Sequence, residues 1–498
     1  MGDIGPAARS FVDFLHAAKQ TWWQMLPIHP IGAGNSPYDS SSAFAGSTLL
    51  VSLEGLVEDG LVSTRDIADL SRAGDPRRAE FDLARQLRPP VLRLAYEHFQ
   101  AQAAPQLESE YRQFLDENGS WLWDWCLFRA LKARFEGRPW TEWPTELARR
   151  DAGALAEAHR SSSAEIGFQT FLQFAFHHQW TRLRDYARSR GVRLMGDVPM
   201  FVAHDSVDVW ANQHMFFLDE RGQRTVQAGV PPDYFSEDGQ LWGNPLYRWD
   251  VMRGDGYGWW IDRLRRELLR FDAIRLDHFV AFHRYWEVGM GQETAKNGRY
   301  VEVPGRDFLE RARQVLGGLP LLAEDLGIVT HEVNDLRDGA GLPGMRILQF
   351  AFTPGAEAYL PHRHPQRCVI YTGTHDNNTT RGWYELLLSH AAQTSTTDER
   401  RRRMASDARI ELDRIRLYTG ITRAGEVSSG MLRALFSSPA LTAIFPIQDA
   451  LDEGSDARMN VPGTPEGNWA YRVAPDALKE DVAARLADLA VVTERAPT

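Results

Sequence analysis

Three short stretches of the chain hold carboxylates where they could do nucleophilic or acid–base work. In IRLDHF (274–279), Arg275 and Asp277 are two residues apart, so an extended backbone sends both side chains to one face. A guanidinium beside a carboxylate favours its ionised form, the form a nucleophile needs. In LLAEDLG (321–327), Glu324 follows three apolar residues. A carboxyl at the rim of an apolar wall has its neutral form favoured, as a general acid requires. Asp325 must point to the opposite face, so only one of the two can serve a given pocket. In YTGTHDNNT (371–379), His375 and Asp376 sit among small and amide residues suited to a tight loop. Asp197 closes a fourth run, VRLMGDV (192–198).

Each motif alone has a plainer explanation. Arg275 and Asp277 could be a structural ion pair, Glu324 or Asp325 a helix cap, and His375–Asp376 an ordinary contact. Together they place carboxylates at four strand ends with an arginine and a histidine close by. No Cys/His metal spacing competes for them. Glycoside chemistry uses two carboxyls flanking the scissile bond, one as nucleophile and one as acid/base. Further carboxylates can stabilise the cationic sugar of the transition state. The joint explanation covers the pattern better than four separate ones.

The elements that must position these residues read as alternating strands and helices. Apolar runs suited to strands occur at 22–26, 192–198, 273–279, 319–326, 345–352 and 368–374. A helix over 168–190 carries Phe168, Phe171, Leu172, Ala175, Trp180, Leu183 and Tyr186 largely on one stripe, and Gly191 stops it. A second helix over 259–271 precedes the strand at 273. This order predicts a parallel sheet, and at least six such strands favour a (β/α)8 barrel over an open sheet. No GxGxxG or P-loop suggests a nucleotide-binding open sheet. In a barrel, functional side chains gather at the C-terminal strand ends. The whole of 1–498 reads as one catalytic domain. Residues 46–165, with a helix over 121–136, read as a mostly helical insertion on the rim, and 205–258 as a lid segment. The arginine run within 388–406 reads as the solvated start of a helix.

Composition narrows the function classes. The 498 residues are 43% hydrophobic and 25% charged, with a formal net charge of −11. That charge argues against a nucleic-acid surface or an anionic membrane. No apolar run reaches the roughly 18 residues of a membrane span, and MGDIGPAARSF lacks the pattern of a secretory signal. Cys126 and Cys368 cannot build a disulfide framework, which fits a reducing cytoplasm. The 16 tryptophans, within 11% aromatic residues, suit either sugar stacking or a large core.

The blocks GDVPMFV, IRLDHF, LLAEDLG and GTHDN resemble the conserved regions of the α-amylase superfamily. Within it, WQMLPIHPIGAGNSPYDSSSAFAG (23–46), VPPDYFSEDGQLWGNPLY (230–247) and ARMNVPGTPEGNW (457–469) are similar to the amylomaltases and disproportionating enzymes of glycoside hydrolase family 77. The blocks span nearly the whole chain in the family's order. The resemblance implies a retaining 4-α-glucanotransferase acting on maltooligosaccharides and amylose-type α-1,4-glucans, with glucose as an acceptor and no metal or organic cofactor. It implies Asp277 as nucleophile, Glu324 as acid/base and Asp376 as the carboxylate that stabilises the transition state. Arg275 and His375 match partners of the reacting glucose. Asp197 and Tyr38 match residues at the same subsite, and Ser36, Trp242 and Asn460 match further glucan contacts. The 230–247 segment looks like the family's lid over the acceptor channel.

This chain departs from the family pattern at His29 and Asp39, and with Ser47 and Thr48 after FAG. The family also begins with a strand and loop of the type GVLLHPTSLPSPYGIGDLGP, whereas residues 2–6, GDIGP, resemble only its end. The expectation is a barrel without its first strand in this chain and a natural start upstream of Met1. Two other functions share the site residues. One is an α-amylase-like hydrolase of α-1,4-glucans, which the blocks at 23–46 and 230–247 disfavour. The other is a non-catalytic carbohydrate-binding protein, whose signature would be the loss of one carboxylate.

Overall fold

The computed structural model describes residues 2–70, 74–232, 236–327, 329–393, 398–464, 466–474 and 476–497. Positions 71–73 of the 46–165 segment, 233–235 of the lid, 394–397 of the 388–406 segment and 465 of the 457–469 block therefore lie outside the described residues. The strands are β1 (Trp22–Gln24), β2 (Arg193–Val198), β3 (Val226–Val230), β4 (Gln240–Leu241), β5 (Ala273–Leu276) and β6 (Arg284–Gly289). They continue with β7 (Gly298–Glu302), β8 (Leu321–Ala323), β9 (Gly344–Ile347), β10 (Cys368–Tyr371) and β11 (Thr442–Ile444).

Seven of these strands are parallel and form the barrel wall in the order β1-β2-β5-β8, then β9-β10-β11. The Ala323 amide donates to the Pro343 carbonyl at 2.9 Å and joins the two runs. No pairing links β11 to β1 among the described residues. Between them lies a cavity of about 1350 Å³, lined by Ile4, Phe11, Trp23, Ala443 and Phe445, that reaches inward to Arg275 and His375. The strand ends are shorter than the apolar runs suggest, because the last residues turn away to build the site. Residues 348–350, for example, coil into a 3-10 turn. Strand β11 has only three residues and no alternating pattern to mark it.

The helices carry the barrel from outside. In Gly258–Arg270, Trp260, Ile261, Leu264 and Glu267 are buried at helical spacing, and the chain turns extended at Phe271. In Gly305–Leu316, Phe308, Leu309 and Ala312 are buried, and left-handed Gly317 ends the helix. Fully burying one such Leu or Phe contributes about 1.5–3 kcal/mol. Helices Phe81–Gln102 and Pro105–Arg134 lie within 46–165, and Pro105–Arg134 packs on Ser163–Ser189.

A second sheet, antiparallel in the order β4-β3-β6-β7, stands beside the barrel mouth. Strands β3 and β4 belong to the 205–258 segment. The sheet also takes in β6 and β7, which follow β5 after the 3-10 turn Phe279–Phe282. Alternation did not mark β6 as an isolated strand, because its buried Tyr285 and its half-buried Trp286 are both aromatic.

Candidate active site

The barrel interior is filled by columns of side chains, and the charged residues are the top of those columns. Met195, Leu322, Met345, Ile347, Val369 and Tyr371 form one buried cluster. Two residues further along β2, the same face presents Asp197. Along β5 it presents Arg275 and then Asp277, and beyond Leu322 it presents Glu324. The two-residue period of an extended chain thus carries an apolar core up into a charged floor.

Arg275 organises that floor. Its Nη1 lies 2.9 and 2.8 Å from the two Asp197 oxygens and 2.8 Å from Asp277 Oδ1. Arg275 and Asp197 are buried, and Asp277 keeps an open side. The Tyr38 hydroxyl donates to Asp197 Oδ2 at 2.7 Å. Burial works to lower the Arg275 pKa, but Asp197 and Asp277 hold it well above the ordinary value. Burial also pushes the Asp197 carboxyl up, against the pull of Arg275. Tyr38 is raised by burial and by Asp197, so it stays a hydroxyl donor.

Glu324 accepts backbone bonds on both oxygens, from the His278 amide at 2.8 Å and the Leu326 amide at 3.0 Å. Burial pushes its pKa up to about 7; Arg275 opposes this and the Asp277 charge adds to it. Asp325 points to the outer face, where it accepts from the Met345 amide at 2.6 Å and pairs with Arg337.

The loop after β10 brings His375 and Asp376 over this floor. His375 Nε2 lies 3.4 Å from Asp376 Oδ1. Asn460 donates through Nδ2 to Asp376 Oδ1 at 2.6 Å, and its amide donates to the His375 carbonyl at 3.1 Å. The Tyr38 ring stacks on His375 with centroids 5.1 Å apart and 19° between planes. The Ser36 hydroxyl accepts from the Tyr38 amide at 3.2 Å. On the other side, Trp242 is 37% exposed and sets its ring 4.7 Å from His278, at 73°. Direct contacts therefore join Ser36, Tyr38, Asp197, Arg275 and Asp277. They also join Tyr38 to His375, Asp376 and Asn460, and His278 links Glu324 to Trp242.

Two residues of this constellation were not singled out in the sequence. Trp469, at φ 64°, sets its ring 5.8 Å from both Tyr38 and His375. His278 contacts both Glu324 and Trp242. Both lie inside the motif blocks, but nothing in their residue type announces a left-handed backbone. Among the described residues, no group of three or more His, Cys, Asp or Glu side chains is placed to hold a metal ion. A floor with one carboxylate bonded to a guanidinium and a second carboxyl poised near neutrality can supply a nucleophile and a proton donor together.

The family model described as 4-alpha-glucanotransferase, glycoside hydrolase family 77, matches residues 1–478. A 4-alpha-glucanotransferase of Thermus thermophilus is 44% identical over 501 residues, covering 99% of this chain and 96% of its own. One from Synechocystis is 40% identical, covering 96% of this chain and 92% of its own. The structure of a Streptococcus agalactiae amylomaltase in complex with acarbose superposes with a TM-score of 0.91 at 33% identity, covering 100% of this chain and 96% of that one. The chain belongs to the 4-alpha-glucanotransferases of glycoside hydrolase family 77.

Proposed function

We propose that the chain transfers α-1,4-glucan segments between maltooligosaccharides or amylose-type glucans, with glucose among its acceptors, and that Asp277, Glu324 and Asp376 carry the reaction. Asp277 attacks the anomeric carbon of the donor glucose while Glu324 gives its proton to the departing glycosidic oxygen. A covalent β-glucosyl ester results, and the leaving chain departs. The 4-hydroxyl of an acceptor then attacks the same carbon, Glu324 takes that hydroxyl's proton, and Asp277 leaves. Two inversions retain the configuration.

The observation that carries this reading is the unequal pair at the floor. Arg275 lies against Asp277, while burial raises Glu324 to about 7. The Asp277 charge is part of what raises Glu324. Esterification removes that charge, which lowers the Glu324 pKa when it must act as base. Asp376 and His375 would grip the hydroxyls of the reacting glucose, with Tyr38 as its platform and Asp197 beneath. Ser36 and Asn460 extend the glucan contacts, and Trp242 offers an exposed face to the acceptor. The free, buried thiols of Cys126 and Cys368 support a cytoplasmic placement.

Incubation with maltotriose followed by chromatography tests the reading. Transfer yields glucose and a ladder of oligomers longer than the substrate. Glucose and maltose alone, with nothing longer, would make the protein a hydrolase.

A further inference from the structure

His278 follows Asp277 directly and adopts φ 51°, ψ 48°, the left-handed region that a non-glycine residue rarely occupies. That turn aims its amide at Glu324 Oε2, 2.8 Å away, and the next amide, of Phe279, donates to the Glu324 carbonyl at 3.1 Å. The side chain has a seat of its own. Its ring centroid lies 4.7 Å from Trp242 and 6.4 Å from Phe201. Such a conformation persists only where its surroundings hold it.

We infer that His278 is a positioning residue for Glu324. Its ring, seated against Trp242, holds the backbone in the left-handed turn, and the amide so presented fixes the carboxyl that moves the proton. The exposed Trp242 face and the acid/base group are thereby joined through one residue, by its ring on one side and its backbone amide on the other. This rests on the acid/base reading of Glu324 given above. Besides His278, the groups that face Glu324 are Arg275 and Asp277 from the end of β5 and Tyr359 from the turn Glu357–Tyr359.

An amide that donates to a carboxylate favours the charged form. Its displacement therefore raises the Glu324 pKa, and the basic limb of kcat/KM moves to higher pH. The test compares wild type, His278→Gly and His278→Asn on maltotriose across pH, with thermal unfolding as a control. Glycine tolerates the turn but has no ring to hold it. Asparagine favours the left-handed region on its own. His278→Gly should lose about tenfold in kcat and move the basic limb upward by about half a pH unit, while His278→Asn should recover the limb. A merely structural role would lower the melting temperature and leave the limb in place. An unmoved limb in folded His278→Gly overturns the inference, as does a His278→Asn enzyme indistinguishable from it. Failure of the underlying reading shows elsewhere, as near wild-type turnover in Glu324→Gln.

Discussion

Arg275 lies between two carboxylates, and its contact with Asp277 at 2.8 Å is the one that leaves an open face on the barrel floor. Removing the guanidinium leaves buried Asp197 without a countercharge, and breaking a buried pair from one side costs about 3–5 kcal/mol. Arg275→Met should lower unfolding stability by about that amount. Arg275→Met combined with Asp197→Asn should regain much of it without regaining turnover. Denaturant titration of the two variants distinguishes this from a simple packing defect, in which the second change would only add to the loss.

Asp277→Asn and Glu324→Gln are nearly isosteric, so both should fold and both should lose turnover. Loss of general acid/base action alone costs roughly 10²–10⁴-fold. Circular dichroism and maltotriose assays check the pair. A variant that keeps wild-type turnover would strike its residue from the mechanism.

In the proposed mechanism the free enzyme needs Glu324 protonated, and its pKa is raised to about 7. The basic limb of kcat/KM should therefore fall as pH rises through about 7. The same shift bears on stability. A carboxyl whose folded pKa lies above its unfolded value disfavours the fold as pH climbs between the two. Glu324→Gln should therefore melt at a higher temperature than wild type at pH 8, with the gap closing near pH 4. An unchanged or lower melting temperature at pH 8 would contradict the burial argument.

Tyr38 has two separable contacts, its hydroxyl on Asp197 and its ring on His375. Tyr38→Phe removes the first and should lower kcat/KM about tenfold, equivalent to ~1.4 kcal/mol for a bond to a charged group. Tyr38→Ala removes both and should lose at least about tenfold more. Equal losses in the two variants would mean that the ring contributes nothing.

Much of the floor was legible because an extended chain has a strict period. Arg275 and Asp277 share a face by that rule, and Glu324 and Asp325 must part. The structure sends Glu324 inward and Asp325 to Arg337 and the Met345 amide. The wall was legible where buried parallel strands read as apolar runs, and not at β11, where three residues carry no pattern. The antiparallel sheet escaped because its pairing is long-range: Gly229 meets Trp286, far along the chain. Aromatic content was a blunt guide. Trp125, Trp140, Trp210 and Trp260 are fully buried core, while Trp242 and Trp469 reach the site. The roles of His278 and Trp469 depend on backbone angles, which residue type does not reveal.

The seam between β11 and β1 gives the barrel two ends where a closed wall has none. Among the described residues, strands inside the wall are gripped from both sides, whereas β1 pairs with β2 alone and β11 with β10 alone. Local opening should therefore begin at the seam and spread inward, a zip rather than a simultaneous melt. In native-state hydrogen exchange, the amides of Trp22–Gln24 and Thr442–Ile444 should be released well before those of Arg193–Val198 and Ala273–Leu276. Strand β8 and its neighbours β5 and β9, innermost in this order, would then be the last to let go, so the part of the floor that bears Arg275 and Glu324 should outlast the rim during partial unfolding.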